Sequence, residues 1–186
     1  MSGKILVLAA LRDELSDSNA LPGVEVAYTG VGKVNAALAT AQAILKAKPV
    51  LVVNYGTAGK ISEGLSGLLE IAKVVQRDMM TEPLSPRGTT PFSKDPVFLE
   101  SGFGRIVCGT GDSFVTTVDP WLIENGIHLV DMELYAVALV CNRLGVPWRA
   151  FKFITDDAND FAAHEWTANV ASGESLFWDA LKAIVG

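Results

Sequence analysis

Apolar runs of strand length alternate with helical patterns along this chain, and that alternation restricts the fold more than any other feature. The strand-length runs are 4–11 (KILVLAAL), 50–56 (VLVVNYG), 71–78 (IAKVVQRD), 105–114 (RIVCGTGDSF) and 148–155 (WRAFKFIT). The first two are apolar almost throughout, which is typical of strands covered on both faces. Such strands alternating with helices predict an α/β fold, a mixed central β-sheet flanked by helices.

Helical patterns occupy three stretches of the sequence. The first, 31–48, ends before Pro49 and places on one side Val34, Ala37, Leu38, Ala41 and Leu45. The second, 128–147, changes from strand to helix near Met132 and ends at Gly145 and Pro147. The third, 175–185, places on one side Leu176, Phe177, Ala180, Leu181 and Ile184.

The length and composition fit one hydrophobic core. The chain has 186 residues, of which 49% are apolar, so we expect a single domain over residues 1–186. Residues 81–96 contain four of the eight prolines and show no periodicity. This segment is predicted to be one long surface loop, and loops of that length are usually functional or mobile.

Charge and cysteine content disfavour several classes of partner. The net charge of −6, without runs of lysine or arginine, argues against a polymeric nucleic acid or an anionic membrane as partner. Residues 1–10 contain one lysine and no cleavage site of small residues, so we expect a first strand and a cytoplasmic protein. No apolar run reaches the length that spans a bilayer. Cys108 and Cys141 are expected to be buried free thiols.

Acidic and small residues stand where the predicted strands end. Residues 153–160 read FITDDAND, and the other strand ends carry Glu14, the glycine turn 56–59, Asp112 and Glu133. In open α/β sheets, ligands bind beyond the carboxyl ends of the strands. These residues therefore predict a ligand site, with a solvated loop as the alternative for FITDDAND.

Five segments, in order, carry a resemblance to a known family. They are GVGKVNAALA, NYGTAG, TGDSFV, VDMELYAVALVCNRLGVP and FITDDAND. The series resembles the nucleoside phosphorylase and nucleosidase superfamily, and most closely its 5′-methylthioadenosine/S-adenosylhomocysteine nucleosidase branch. The chain departs from that pattern in a short connection between strand one and GVGK, and in the loop 81–96. The resemblance implies a three-layer α/β fold, a purine nucleoside as small-molecule substrate, a homodimer, and no cofactor or metal.

The resemblance also implies roles for individual residues. Asp156, after Thr155, is similar to the acid that protonates the purine ring, and Glu14 is similar to the base that orients water. Glu133, after Met132, is similar to the glutamate that binds the ribose hydroxyls. The remaining substrate-binding residues that it implies are Thr57, Ala58 and Gly59 on the ribose side, and Phe114 and Val115 against the base.

The chemistry of N-glycosidic cleavage is consistent with paired acids. Positive charge develops on the sugar and negative charge on the departing base, so a protonated carboxyl near the base and an ionised one near the sugar divide the work, as in glycosidases. An aspartate with an ordinary pKa of about 3.9 is ionised at neutral pH. Burial, or the neighbouring Asp157, must therefore raise the pKa of Asp156.

Structural alternatives exist for each of these acids. Asp157 and Asp160 are typical of solvated or capping acids, and Asp156 could also be a cap. Glu133 could be an acid favoured by a helix dipole. A slip of one residue would exchange Asp13 for Glu14. TDDAND lacks the glycine and distal glutamate of a calcium loop, and both histidines, His128 and His164, are interpreted as structural.

The attacking group can be water or phosphate. Phosphate is usually held by arginine, but Asn54 and Tyr55 precede the glycine turn, where phosphorylases of this kind place an arginine. This favours a hydrolase, with Arg12 and Arg87 as the residues that could reverse the conclusion. A phosphorylase and a catalytically inactive nucleoside-binding protein remain the alternatives.

Overall fold

Eight strands form one sheet in the computed structural model, which describes residues 3–159 and 162–185. The strands are β1 Ile5–Ala9, β2 Val24–Tyr28, β3 Leu51–Lys60, β4 Leu68–Gln76, β5 Phe98–Glu100, β6 Ile106–Thr110, β7 Leu129–Asp131 and β8 Trp148–Asp156. The α-helices are α1 Lys33–Ala47, α2 Pro120–Glu124, α3 Leu134–Leu144, α4 Ala162–Asn169 and α5 Glu174–Val185. A single 3₁₀ turn, Asp17–Asn19, lies between β1 and β2 in this part of the chain.

The sheet is mixed, as predicted. Strands follow the order β2-β1-β3-β7-β6-β4-β5, and β8 pairs with both β3 and β4. β1 is parallel to β2 and β3, and β3 is parallel to β8, whereas β8 is antiparallel to β4 and β3 is antiparallel to β7. Because β8 joins β3 to β4, the pairings β3-β8-β4-β6-β7 return to β3 as a closed ring of strands.

Helices cover both faces of the sheet, and β1 shows how. Successive strand side chains point to opposite faces. Leu6 and Leu8 pack in the cluster that contains α1 and α3 side chains. Ile5 and Val7 pack in the opposite cluster, with the α5 residue Phe177. The apolar run 4–11 therefore forms a strand that is covered on both faces, as predicted. The arrangement of helices on both sides of the sheet is confirmed.

The apolar side of α1 differs from the prediction. Its buried residues are Ala36, Thr40 and Ile44, whereas Val34 and Leu38 are 79% and 60% exposed. This narrow row of buried residues faces the core cluster that contains Leu6 and Leu8. The larger apolar row on its other side was therefore wrongly interpreted as the packing face.

Two further predictions of local structure are wrong. β3 does not end at Gly56 but continues as strand to Lys60, because β8 pairs with it over residues 52–59 and β7 pairs with its end. β2 and β5 were not predicted. The apolar run of β2 is short and is interrupted by Glu25, and β5 has three residues. The loop 81–96 was correctly predicted, with an isolated bridge between Thr81 and Ser85.

Truncation of Phe177 should test the packing of α5. Its side chain is fully buried, 4.5 Å from the Tyr55 ring and 6.1 Å from the Phe151 ring. Phe177→Ala should lower the free energy of unfolding by about 3–5 kcal/mol, because it removes buried area and leaves a cavity. Urea denaturation followed by circular dichroism measures this difference.

The neighbouring residue provides a matched control. Leu176 is 47% exposed on the same helix, so Leu176→Ala should change the free energy of unfolding by about 0.5 kcal/mol or less. Equal losses in the two variants would contradict the assigned face of α5.

Candidate active site

A cavity of about 300 Å³ lies where β1, β4, β6, β7 and β8 end, beside the middle of β3. The predicted site residues that line it are Glu14, Thr57, Ala58, Gly59, Phe114, Val115, Met132, Glu133 and Asp156. Thr155, the other predicted residue, is buried and donates to Asp156. Residues separated widely in the sequence are thus brought around one space.

Glu14 is held by hydrogen bonds on both carboxylate oxygens. Its Oε2 accepts from the backbone N–H groups of Ala10 and Leu11, each at 3.1 Å. Its Oε1 accepts from the Thr57 N–H at 3.0 Å and from the Thr57 hydroxyl at 2.8 Å. Four donors are about the number that an ionised carboxylate can accept. Asp13 is exposed and does not line the cavity, so the acid at the end of β1 that faces this space is Glu14.

A bulge in β8 directs Asp156 toward the cavity. Ile154 pairs with Ala58 and Asp156 pairs with Gly59, so Thr155 is an extra residue on β8. Such bulges redirect side chains and are common beside active sites. The pairing also requires a glycine, because a Cβ atom at Gly59 would lie 2.5 Å from Asp156 Oδ1.

The surroundings of Asp156 favour its protonated form. Burial raises the pKa of Asp156, and the carboxylates of Glu165 and Asp157 raise it further. Hydrogen bonds from the Ala158 N–H (3.0 Å) and the Thr155 hydroxyl (2.9 Å) act in the opposite direction. Asp157 itself is 57% exposed and pairs with Lys60 at 2.9 Å, in agreement with its interpretation as a solvated acid. Asp160 lies outside the described residues.

Glu133 stands at the N-cap of α3, but it does not cap that helix. Its Oε1 accepts a hydrogen bond from the Gly32 N–H at 3.0 Å, and its side chain lines the cavity. Burial raises the pKa of Glu133 to about 7, and repulsion from Asp131 adds to the effect, while Lys152 and the Gly32 N–H oppose it. The second glycine of GVGK therefore supports Glu133 through its N–H group.

Sequence reasoning missed the buried ion pair of Asp131 and Lys152. Their charged groups are 2.7 Å apart, and the two side chains are 0% and 1% exposed. Asp131 also accepts from the Thr110 hydroxyl (2.5 Å) and from the Leu134 N–H (2.8 Å), so it caps α3 in place of Glu133. The signal was a lysine at the centre of the apolar run 148–155.

The same pair explains the glycine at position 56. A Cβ atom at Gly56 would lie 3.1 Å from Lys152 Nζ and 3.4 Å from Glu14 Oε1. Burial opposes the charge on Lys152, but Asp131 and Glu133 outweigh it and hold the lysine pKa above its usual value. The Lys152 ammonium group therefore stays charged at the base of the cavity, close to the carboxylates of Asp131 and Glu133.

Arg77, at the end of β4, holds the segment that resembles a base-stacking element. Its Nη2 donates to the carbonyl oxygens of Gly111 (3.1 Å) and Ser113, and its Nη1 donates to the Ser113 hydroxyl at 3.2 Å. Phe114 and Val115 follow directly and line the cavity. Arg77 follows the end of a strand, as the predicted acids do, but it was not predicted to be a site residue.

Trp166 is a further cavity residue, and no sequence pattern indicated it. It lies on α4, and its indole N–H donates to the Thr57 hydroxyl at 2.8 Å. Two more hydrogen bonds join α4 to the end of β8, from the Asn169 side chain to the Thr155 carbonyl and from the Asp157 N–H to Glu165. Helix α4 therefore covers the side of the cavity formed by β3 and β8.

The two arginines considered for phosphate both have other partners. Arg12 is exposed, bonds Asp17 at 3.0 Å and lies over the Tyr28 ring. Arg87 pairs with Asp119, donates to the Arg77 carbonyl at 2.6 Å and lies over the Trp121 ring. Neither lines the cavity.

The cysteines and His128 have structural surroundings. Cys108 and Cys141 are buried free thiols, as predicted. His128 Nδ1 accepts from the Val107 N–H at 3.1 Å, and His164 is exposed on α4. Within residues 3–159 and 162–185, no group of three or more His, Cys, Asp or Glu side chains is arranged to hold a metal ion. Over the same ranges, no helix combines the length and apolarity needed to cross a bilayer.

Known proteins are similar to this chain in sequence and in fold. The curated 5′-methylthioadenosine/S-adenosylhomocysteine nucleosidase of Staphylococcus haemolyticus is 28% identical, with 94% of this chain and 93% of the relative covered. The aminodeoxyfutalosine nucleosidase of Helicobacter pylori is 26% identical over 100% of this chain and 99% of its own. A crystal structure of a Helicobacter pylori MTAN mutant with 5′-methylthioadenosine in the active site superposes with a TM-score of 0.88 at 24% identity, covering 100% of this chain and 99% of that one.

A family model describes most of the chain. The model of the phosphorylase superfamily matches residues 22–184. That range contains the cavity residues of β3, β4, β6, β7, β8 and α4, and leaves Glu14 and its neighbours before it. The match extends well beyond half of the sequence, and the superposition agrees with it. The chain belongs to the phosphorylase superfamily.

Proposed function

We propose that residues 1–186 act as one nucleosidase domain, which hydrolyses the N-glycosidic bond of an adenosine-type nucleoside to free base and a ribose derivative. The observation that carries this proposal is that Glu14, Glu133 and Asp156 line one cavity in different environments. The names of two relatives, both nucleosidases, support it. The first relative's name favours 5′-methylthioadenosine or S-adenosylhomocysteine as the substrate.

Asp156 acts as the general acid. Its raised pKa favours the protonated form, which can donate to the purine as the glycosidic bond breaks. The hydrogen bonds from the Thr155 hydroxyl and the Ala158 N–H hold the carboxyl group in place. Preorganisation of this kind removes the cost of orienting the acid in the transition state.

Glu133 binds the ribose hydroxyls, with Met132 beside it in the cavity wall. A carboxylate accepts two hydroxyl hydrogen bonds at once without bringing a donor of its own. Thr57, Ala58 and Gly59 form the adjoining wall on the ribose side. On the far side, Phe114 and Val115 lie against the base, in the segment that Arg77 holds.

Glu14 acts as the base that orients water. The Ala10, Leu11 and Thr57 N–H groups donate to its carboxylate and hold it in place. An ionised acid near the sugar and a protonated one near the base give the division of work that cleavage requires.

Water is favoured over phosphate as the attacking group. Asn54 donates to the Leu8 carbonyl at 3.0 Å and is buried within the sheet. Among the described residues that line the cavity, Arg77 is the one cation, and its two terminal nitrogens already donate to the segment 111–113. Its Nε is buried and has no hydrogen-bond partner among the described residues, so the guanidinium group presents no free pair of terminal nitrogens to a phosphate.

The protein acts as a homodimer in this proposal. The apolar row on α1 that does not pack inward has Val34 at 79%, Leu38 at 60% and Leu45 at 67% exposure. An exposed apolar row of this size is typical of a protein–protein interface. A two-fold dimer would cover the same row on both copies.

The proposed setting is the cytoplasm, with the free purine available for salvage. The apolar run at residues 4–11 contributes β1 to the sheet, where β2 and β3 pair with it on either side. It therefore serves as part of the domain, in agreement with its interpretation as a first strand.

Replacing Asp156 should abolish turnover and leave binding largely intact. The amide of Asp156→Asn keeps the shape but has no proton to donate, so kcat should fall by about 100- to 10,000-fold with a much smaller change in KM. The assay incubates a panel of adenosine-type nucleosides with and without phosphate, and separates free ribose products from ribose 1-phosphate products. Free ribose products should form without phosphate.

The adjacent acid is the control for this variant. Asp157→Asn should turn over nearly as fast as the native protein, because its carboxylate is exposed and paired with Lys60. If the native protein forms product only when phosphate is present, it is a phosphorylase. Nucleoside binding without any product would identify a binding protein.

Nucleoside affinity should depend on the ionisation of Glu133. With a pKa of about 7, this group gains its full acceptor capacity only as the pH rises through neutrality. Affinity for a C-glycosidic adenosine analogue, measured by calorimetry, should therefore increase from about pH 6 to about pH 8. Glu133→Gln should bind weakly and without this dependence, and an equal pH dependence in that variant would exclude Glu133 as its source.

A charge on the exposed row of α1 should dissociate the dimer. Sedimentation velocity at micromolar concentration should show a dimer for the native protein and a monomer for Leu38→Glu, because burying an unpaired carboxylate is costly. Lys46→Glu, on another exposed side of the same helix, should remain dimeric. A native protein that sediments as a monomer would refute the proposed assembly.

A further inference from the structure

Trp166 is joined to Glu14 through a chain of two hydrogen bonds. The indole Nε1–H of Trp166 donates to Thr57 Oγ1 at 2.8 Å, and Thr57 Oγ1 lies 2.8 Å from Glu14 Oε1. Thr57 and Glu14 are both buried, and all three side chains line the cavity. The chain of bonds thus connects helix α4, the middle of β3 and the segment after β1.

The chemistry of the three groups fixes the direction of both bonds. An indole nitrogen only donates, and an ionised carboxylate only accepts. The Thr57 hydroxyl must therefore accept from Trp166 and donate its own proton to Glu14. Bonds arranged in sequence also polarise one another, so each strengthens the next.

The Thr57 hydroxyl is the one donor to Glu14 that is free to turn. The other three hydrogen bonds come from the backbone N–H groups of Ala10, Leu11 and Thr57, whose directions the fold determines. A hydroxyl can rotate about its Cβ–Oγ bond, but while Trp166 donates to it, its proton points at Glu14. The direction of this fourth hydrogen bond to Glu14 therefore depends on where α4 lies.

We infer that Trp166 is a positioning residue, whose N–H fixes the Thr57 hydroxyl on Glu14 and so couples the position of α4 to the group that orients water. This inference rests on the proposed role of Glu14 as base. Helix α4 also bonds the end of β8 through Asn169, so its position bears on both the acid and the base. The other possible role for Trp166 is direct contact with the substrate, because it lines the cavity.

A double-mutant cycle separates these two roles. Trp166→Phe keeps an aromatic ring and removes the N–H, and Thr57→Val keeps the shape of threonine and removes the hydroxyl. Trp166→Phe should lower kcat by about three- to tenfold, the effect of one lost hydrogen bond, with little change in KM. In the Thr57→Val background, the same substitution should cause no further loss, and Thr57→Ser should retain the native response.

An equal loss of kcat in both backgrounds, or an effect of Trp166→Phe on KM alone, would show direct contact with the substrate and overturn the inference. If the native protein releases base from no nucleoside, the proposed function fails, and the coupling is then tested without turnover. The indole ¹⁵N–¹H resonance of Trp166 is the one of four that disappears in Trp166→Phe. It should shift between the native protein and Glu14→Gln, and it should have the same position in Thr57→Val and in the Thr57→Val, Glu14→Gln double variant. A resonance unaffected by Glu14→Gln in the native background would overturn the inference.

Discussion

The arrangement of the cavity depends on the buried ion pair between Asp131 and Lys152. The desolvation of two charges costs several kcal/mol each, so such a pair is stable only when further hydrogen bonds satisfy it. Here Thr110 of β6 and the N–H groups at the start of α3 supply those bonds to Asp131. Since Lys152 comes from β8, the pair joins three strands and one helix at the base of the cavity. Loss of either partner would leave a buried charge and displace the start of α3, on which Glu133 stands.

The acids around the cavity have two kinds of surroundings. Asp131 has a cation and several donors, and these hold its pKa below the usual value although burial opposes them. Glu14 has four donors. Glu133 and Asp156 are buried with fewer compensating partners, so burial dominates and raises their pKa values. Acids whose environments push their protonation states apart are the arrangement that acid–base catalysis needs. One cavity can thus contain a proton donor and an ionised carboxylate at the same pH.

Predictions from the sequence were correct where they depended on residues that are neighbours along the chain. A continuous apolar run predicted that β1 is covered on both faces, and acids after strands predicted that Glu14, Glu133 and Asp156 face one space. The prediction from the sequence failed where one helix carries two rows of apolar or small side chains, either of which could be the packing face. In α1, the larger side chains Val34 and Leu38 suggested the packing face, but the sheet and α3 accommodate the smaller row of Ala36 and Thr40. Close packing of helices depends on the shape of the facing surface, which the helix sequence does not contain.

The sequence by itself determined the longer apolar strands, the three long helices, their order and the set of acids at the strand ends, because backbone periodicity is a property of consecutive residues. Only the tertiary structure decided which of two adjacent acids faces inward. The bulge opposite Gly59 directs Asp156 into the cavity, while Asp157 meets Lys60 at the surface. It also decided the long-range partners, such as Trp166 and Thr57, which are 109 residues apart. Such contacts arise from strand register and helix placement, and these are fixed only when the whole core packs.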